Sequence, residues 1–168
     1  YGPTAIRFPK GALPPEIEPI GQLGAVDVLR RDESADVLIV AFGPMAAMAL
    51  EVAERLADQG ITSTVVDPRW LLPIDPALPT LAASHSLVVT IEDHGRHGGA
   101  GATLATALRD RGIDTPVRMQ SIPQQFLTQG KRAEVLADIG LTAQDVARRV
   151  VEAVAGLGSL DQRHRVAD

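Results

Sequence analysis

Val37-Leu38-Ile39-Val40-Ala41-Phe42-Gly43-Pro44-Met45 is the stretch that decides the fold class. Its unbroken apolar run suits a strand buried on both faces, the habit of parallel sheets, better than a strand with one wet face. Pro44 fits the first turn of a helix, where a missing N–H costs nothing. Met48, Val52 and Leu56 then recur every four residues until Gly60 stops the pattern. Strand, turn and helix in this order are half of an α/β repeat.

The same alternation extends to either side. Further strands are predicted over Ala25–Arg30, Thr62–Asp67, Leu87–Glu92 and Pro116–Ile122, beside the one over Val37–Phe42. Only the link Arg31–Ala35 is too short for a crossover helix, so the first strand is expected to run antiparallel to the second and the rest parallel. Asp75-Pro76 forms an N-cap and first-turn pair that opens a short helix toward Ser84. A third helix is predicted from about Ala102 to Arg111, ending at Gly112. The last opens on Thr142-Ala143-Gln144-Asp145 and carries Val146, Val150, Val154 and Leu157 on one face. The expected fold is α/β: three α/β/α layers around a mostly parallel five-stranded sheet with one antiparallel strand.

Composition narrows the function classes. A chain of 168 residues with 45% hydrophobic and 22% charged residues can bury a core without disulfides or metals. It has no cysteine, which removes thiolate metal sites and thiol nucleophiles. A net charge of -5 with scattered basic residues and 3% aromatics argues against nucleic acid as a partner. No apolar run approaches the ~18 residues that span a bilayer, so no membrane partner is expected and a cytoplasmic location is the default.

Candidate chemistry gathers after the fourth strand. Gly95-Arg96-His97-Gly98-Gly99-Ala100-Gly101 lies between a strand and a helix, where backbone N–H groups can hold an anion. It lacks the third glycine of a dinucleotide fingerprint and the Gly-Lys-Ser/Thr of a P-loop. The plainer reading is a tight turn with close helix-to-sheet packing. His94 and His97 lie three apart without a third ligand, so no metal site is assigned. Ser84-His85 has no nucleophile elbow, so no hydrolase triad is assigned. Glu92, Asp93, His94, Gly98, Gly99 and Gly101 are expected near a site or an interface at the carboxyl ends of the strands. No residue is assigned as catalytic. Arg7, before Phe8-Pro9-Lys10-Gly11, can fork onto a phosphate or make a surface ion pair. The opening strand without an initiator Met, and the proline-rich stretch Ala12–Pro19, read as a chain arriving from a preceding domain through a linker.

Gly2-Pro3-Thr4-Ala5-Ile6-Arg7-Phe8-Pro9-Lys10-Gly11 resembles the end of the pyrimidine-binding domain of transketolase-type, thiamine-diphosphate-dependent enzymes. Val66-Asp67-Pro68-Arg69-Trp70, Pro73-Ile74-Asp75, Thr90-Ile91-Glu92-Asp93-His94 and Phe126-Leu127-Thr128-Gln129-Gly130 are similar, in that order, to the deoxyxylulose-phosphate synthases of the family. Lys10 stands where an arginine is common, and Arg96-His97 where an apolar pair is. The resemblance implies a transferase that condenses pyruvate with glyceraldehyde 3-phosphate and releases carbon dioxide. It implies thiamine diphosphate and Mg2+ bound outside this segment, a homodimer, and Arg7 on the substrate phosphate. It divides the chain into 1–11 as a trailing strand of the neighbouring domain, 12–20 as linker, 21–157 as the carboxyl-terminal domain, and 158–168 as a disordered tail. The alternatives are the equivalent domain of a 2-oxoacid dehydrogenase β subunit, or a free-standing interaction module.

Overall fold

A computed structural model describes residues 2–6, 9 and 14–165. Its strands are β1 (Gly21–Leu23), β2 (Val26–Arg31), β3 (Val37–Ala41), β4 (Ser63–Pro68), β5 (Leu87–Gly95) and β6 (Val117–Ile122). Its helices are α1 (Ala46–Ala57), α2 (Ala77–Ala83), α3 (Ala100–Arg109), α4 (Arg132–Asp138) and α5 (Ala143–Arg165), with a 3-10 turn over Gly43–Met45 ahead of α1. They form one sheet in the order β1-β2-β4-β3-β5-β6, in which β4, β3, β5 and β6 are parallel.

Every residue of β3 is buried. Val37, Ile39 and Ala41 face one core, shared with α1, α4 and α5, whereas Leu38 and Val40 face the other, shared with α2 and α3. Side chains alternate across a strand, so the apolar run seals both faces of the central strand at once. The three-layer expectation holds.

Three features differ from the sequence reading. The sheet has six strands, because Gly21–Leu23 adds an antiparallel edge strand to β2. It escaped prediction because three residues are too few to show a period. β2 does run antiparallel, but beside β4 and not beside β3. The link after β2 crosses the foot of β4, where the Asp32 Oδ2 accepts the Ser63 N–H at 3.0 Å. Five extended residues reach ~17 Å, and stepping over one strand needs ~10 Å. Finally, α5 continues to Arg165, so 158–165 is helical and not a disordered tail, while 166–168 lie outside the described residues.

Three helices, α1, α3 and α4, end by one device. Gly60, Gly112 and Gly140 have φ of +73°, +68° and +69°. The apolar residue after each donates its N–H to a buried leucine carbonyl: Ile61 to Leu56, Ile113 to Leu108, and Leu141 to Leu136, at 3.0, 3.0 and 2.8 Å. This is the left-handed glycine stop with its apolar clasp. α4, not anticipated as a helix, is held from behind by Arg149 of α5. That guanidinium donates to the Gly140 carbonyl at 2.6 Å and to Gln120 Oε1 of β6 at 2.8 Å. Among the described residues no helix is long and apolar enough to cross a membrane.

Candidate functional site

Open parallel sheets take ligands at the carboxyl ends of their strands, where neighbouring connections leave toward opposite faces. Here that point lies between β3, which leads to α1 on one face, and β5, which leads to α3 on the other. Glu92 near the end of β5 does not face this crevice. It is 2% exposed, and its Oε2 and Oε1 accept the Ala100 and Gly101 N–H groups at 2.7 and 3.1 Å.

The carboxylate thus fills the N-terminus of α3, where free N–H groups and the helix dipole favour negative charge. Burial pushes the Glu92 carboxyl above the usual glutamate range; the Ala100 and Gly101 N–H groups and His94 pull it back, and Asp93 adds to the rise. The glycines are what let the helix come so close. A Cβ on Gly99 would stand 2.6 Å from both Glu92 Oε2 and the Gly95 carbonyl oxygen. One on Gly101 would stand 2.4 Å from Thr90 Oγ1.

Two other carboxylates act in the same way. Asp67 of β4 accepts the Gly43 N–H at 3.1 Å at the start of the turn into α1, and burial raises its pKa, with Gly43 opposing and Asp27 reinforcing the rise. Asp75 accepts the Ala77 N–H at the start of α2 and the Ala25 N–H before β2, both at 2.8 Å, and these two bonds lower its pKa. The glycine loop is therefore no vacant anion site: its helix end already holds an internal anion. The plainer reading, close helix-to-sheet packing, is the one the geometry bears out.

Asp93 turns toward α4, where Arg132 Nη2 donates to its Oδ2 at 2.8 Å and lies 3.5 Å from Met45 Sδ. The switch-point crevice is thus spanned by an arginine of the chain itself. His94 is exposed, with Nδ1 3.1 Å from the Gly95 carbonyl, and His97 Nδ1 is 3.2 Å from Gln124 Oε1. The two histidines do not converge, and no group of three or more metal-ligating side chains gathers among the described residues. Gly98, with φ of +71°, turns the loop back toward α3. Ser84 and His85 sit at the opposite edge. There the Ser84 hydroxyl donates to the Leu81 carbonyl, and His85 meets that carbonyl, Ser84 Oγ and Thr64 Oγ1, with no carboxylate hydrogen-bonded to the ring among the described residues. Arg7 lies outside the described residues.

Sequence reasoning missed the roles of Asp67 and Arg132, and gave none to Trp70, Leu71, Leu72 and Phe126, which are exposed on the loops after β4 and β6. An apolar run held between Pro68 and Pro73 was the available signal, since a loop has no interior to bury it. Thr90 Oγ1 is buried beneath α3 without a hydrogen-bond partner among the described residues. Thr90→Val, which removes an unsatisfied hydroxyl at constant shape, is expected to leave stability unchanged or raise it by up to ~1 kcal/mol in urea unfolding. A loss above ~1 kcal/mol would show that the hydroxyl is bonded.

Comparison with known proteins places this geometry. A family model described as transketolase, C-terminal domain, matches residues 24–146. The chain is 56% identical over 158 residues to a 1-deoxy-D-xylulose-5-phosphate synthase of Frankia casuarinae, covering 92% of this chain and 24% of that protein. It is 54% identical over 158 residues to the Thermobifida fusca protein of the same name, covering 92% and 25%. The chain therefore spans about a quarter of the length of these relatives. Among solved structures, a split-gene transketolase described as an inactive beta4 tetramer aligns with a TM-score of 0.73 at 36% identity, over 84% of this chain and 46% of that one. A Campylobacter jejuni transketolase, 18% identical with a TM-score of 0.56 over 80% of this chain and 20% of that one, shares the fold. The matched segment holds the parallel strands, both helical layers and the carboxylate-filled helix ends, and the chain belongs to the transketolase C-terminal domain family.

Proposed function

We propose that this chain is the carboxyl-terminal domain of a 1-deoxy-D-xylulose-5-phosphate synthase. In that reading the whole protein is a cytoplasmic, homodimeric, thiamine-diphosphate-dependent transferase. It joins pyruvate to glyceraldehyde 3-phosphate with loss of carbon dioxide, supplying isoprenoid, thiamine and pyridoxal precursors. The observation that carries the reading is identity above half to proteins of that name along almost the entire chain.

The residues described here do not fit the cofactor. Glu92, Asp67 and Asp75 already fill helix starts at the sheet edge that would otherwise suit a diphosphate, and no metal cluster forms among the described residues. Thiamine diphosphate and Mg2+ are therefore read as belonging to the rest of the longer protein. Residues 21–157 are the packing domain, 12–20 the linker and 1–11 the last strand of the neighbour. Glu92, Asp93, His94, Gly98, Gly99 and Gly101 shape that domain's edge and take no part in proton transfer: Glu92 is committed to the Ala100 and Gly101 N–H groups, and the His94 ring meets only the Gly95 carbonyl among the described residues.

Arg7 is the residue assigned to substrate, forking onto the phosphate of the aldehyde. In the full-length protein, carbon dioxide release should require both pyruvate and glyceraldehyde 3-phosphate. Arg7→Ala should weaken the aldehyde by about 2 to 3 kcal/mol, on the order of 30- to 150-fold in KM, with little effect on pyruvate. Absence of the coupled reaction would refute the synthase reading; equal losses for both substrates would refute only the phosphate role.

A further inference from the structure

From Pro123 to Val135 no residue is buried, and the loop 123–131 ahead of α4 makes no backbone hydrogen bond to another element among the described residues. α4 itself buries Leu136 alone, whereas α1 buries Ala46, Ala49, Val52, Ala53 and Leu56. Segments with few buried apolar side chains open first, while the rest of a fold stays closed.

A few ties hold this segment down. Arg132 Nη2 donates to Asp93 Oδ2 at 2.8 Å, the guanidinium 45% exposed and the carboxylate 12%. The Leu141 N–H donates to the Leu136 carbonyl, and Gln124 Oε1 meets His97 Nδ1 between two exposed side chains. Both ends are fixed to the body. The Ile122 carbonyl accepts the Arg96 N–H at 3.3 Å, and the Gly140 carbonyl accepts Arg149 Nη2 at 2.6 Å. The end of β6 and Gly140, with its φ of +69°, are thus the two element-terminal points at which the backbone can turn with the body unmoved.

Beneath the segment lies Met45, 1% exposed, with Sδ 3.5 Å from Arg132 Nη2. Arg132 therefore closes the crevice between β3 and β5 from above, and it does so through one ion pair and one thioether contact.

We propose that residues 123–139 form a lid over this crevice, with the Arg132–Asp93 pair as its catch. Opening breaks that pair and the Leu141–Leu136 bond, withdraws Leu136 from the core, and uncovers the Asp93 carboxylate and the Met45 thioether. α1 and α5 stay packed on the sheet throughout, because their buried faces do not depend on Leu136 alone. The lid follows from the fold of this chain and does not depend on the synthase reading.

Hydrogen exchange of the full-length protein, read by mass spectrometry, tests this through the helical amides of Val135 to Ile139. They are expected to exchange at least about ten-fold faster than those of Val52 to Leu56 in α1. Asp93→Asn should speed the 135–139 amides by a further factor of about five, with α1 and α5 unchanged. Peroxide oxidation of Met45, mapped by peptide with Met119 as the internal reference, should rise by the same factor in that variant. Equal exchange in α4 and α1 would overturn the lid. No acceleration in Asp93→Asn, or acceleration shared by every helix, would overturn the catch. Faster α4 exchange with Met45 oxidation unmoved would show that the segment does not cover the crevice.

Discussion

Glu92→Ala is expected to lower the unfolding free energy of the domain by about 4 kcal/mol, from two first-turn N–H groups left without an acceptor and the space the side chain vacates. In a chain of this size that corresponds to a fall of roughly 8 to 16 °C in Tm. The cost arises because Glu92 is the acceptor at the start of α3, bonded to Ala100 and Gly101 and shut away from water. Water cannot replace it without opening the helix from the sheet. A loss below ~1 kcal/mol in urea would show that the helix end is satisfied in some other way.

Glu92→Gln separates charge from hydrogen bonding. Its amide can accept one of the two N–H groups but turns a donor toward the other. Burial holds the Glu92 carboxyl above its ordinary range, so the folded chain keeps that proton more tightly than the unfolded one. For a raised carboxylate the sign is fixed: the cost of ionisation is absent below the unfolded pKa, grows as pH rises through the folded pKa, and is constant above it. The stability of the native chain relative to Glu92→Gln should therefore fall as pH rises from the ordinary glutamate range and level off beyond the raised value. Asp67, raised in the same way, and Asp75 and Asp145, both lowered, are present in both proteins and cancel in the difference. A difference that grows with pH would reverse the assignment.

Gly101→Val is expected to cost about 4 kcal/mol or more, the severe end of overpacking. Even a Cβ would stand 2.4 Å from Thr90 Oγ1, 2.9 Å from Glu92 Oε1 and 3.1 Å from Met119 Cγ, and the two nearest of these, Thr90 and Glu92, are shut away from solvent. The helix would have to lift from the sheet, taking the Glu92 bonds with it. Pairing Gly101→Ala with Thr90→Ala should recover part of the loss, because the nearest obstacle is gone. Strict additivity of the two changes would mean that they do not meet.

Some of this was legible in the chain order. Val37–Ala41 declares a strand buried on both faces, because no polar residue interrupts it and a wet face would need one every second position. Gly60 and Gly112 announce helix ends, since only a residue without a Cβ turns left-handed without penalty. Asp75 before Pro76 reads as a cap because the cap and the residues it serves are neighbours in sequence.

What distance in sequence separates, sequence could not join. Glu92 invites a surface role when read beside Asp93 and His94. It is an internal cap only because the turn through Gly98 brings Ala100 and Gly101 back over the end of β5. The same holds for Arg132 on Asp93 and for Arg149 on Gln120 and Gly140, pairings between elements whose approach is set by packing and not by any local period. The α/β class, the buried central strand and the helix stops could be read from chain order, because they follow from local sterics and side-chain period. The place of β2 beside β4 and the partners of the buried carboxylates came with the fold. Each of these depends on what the folded chain brings within a few ångströms.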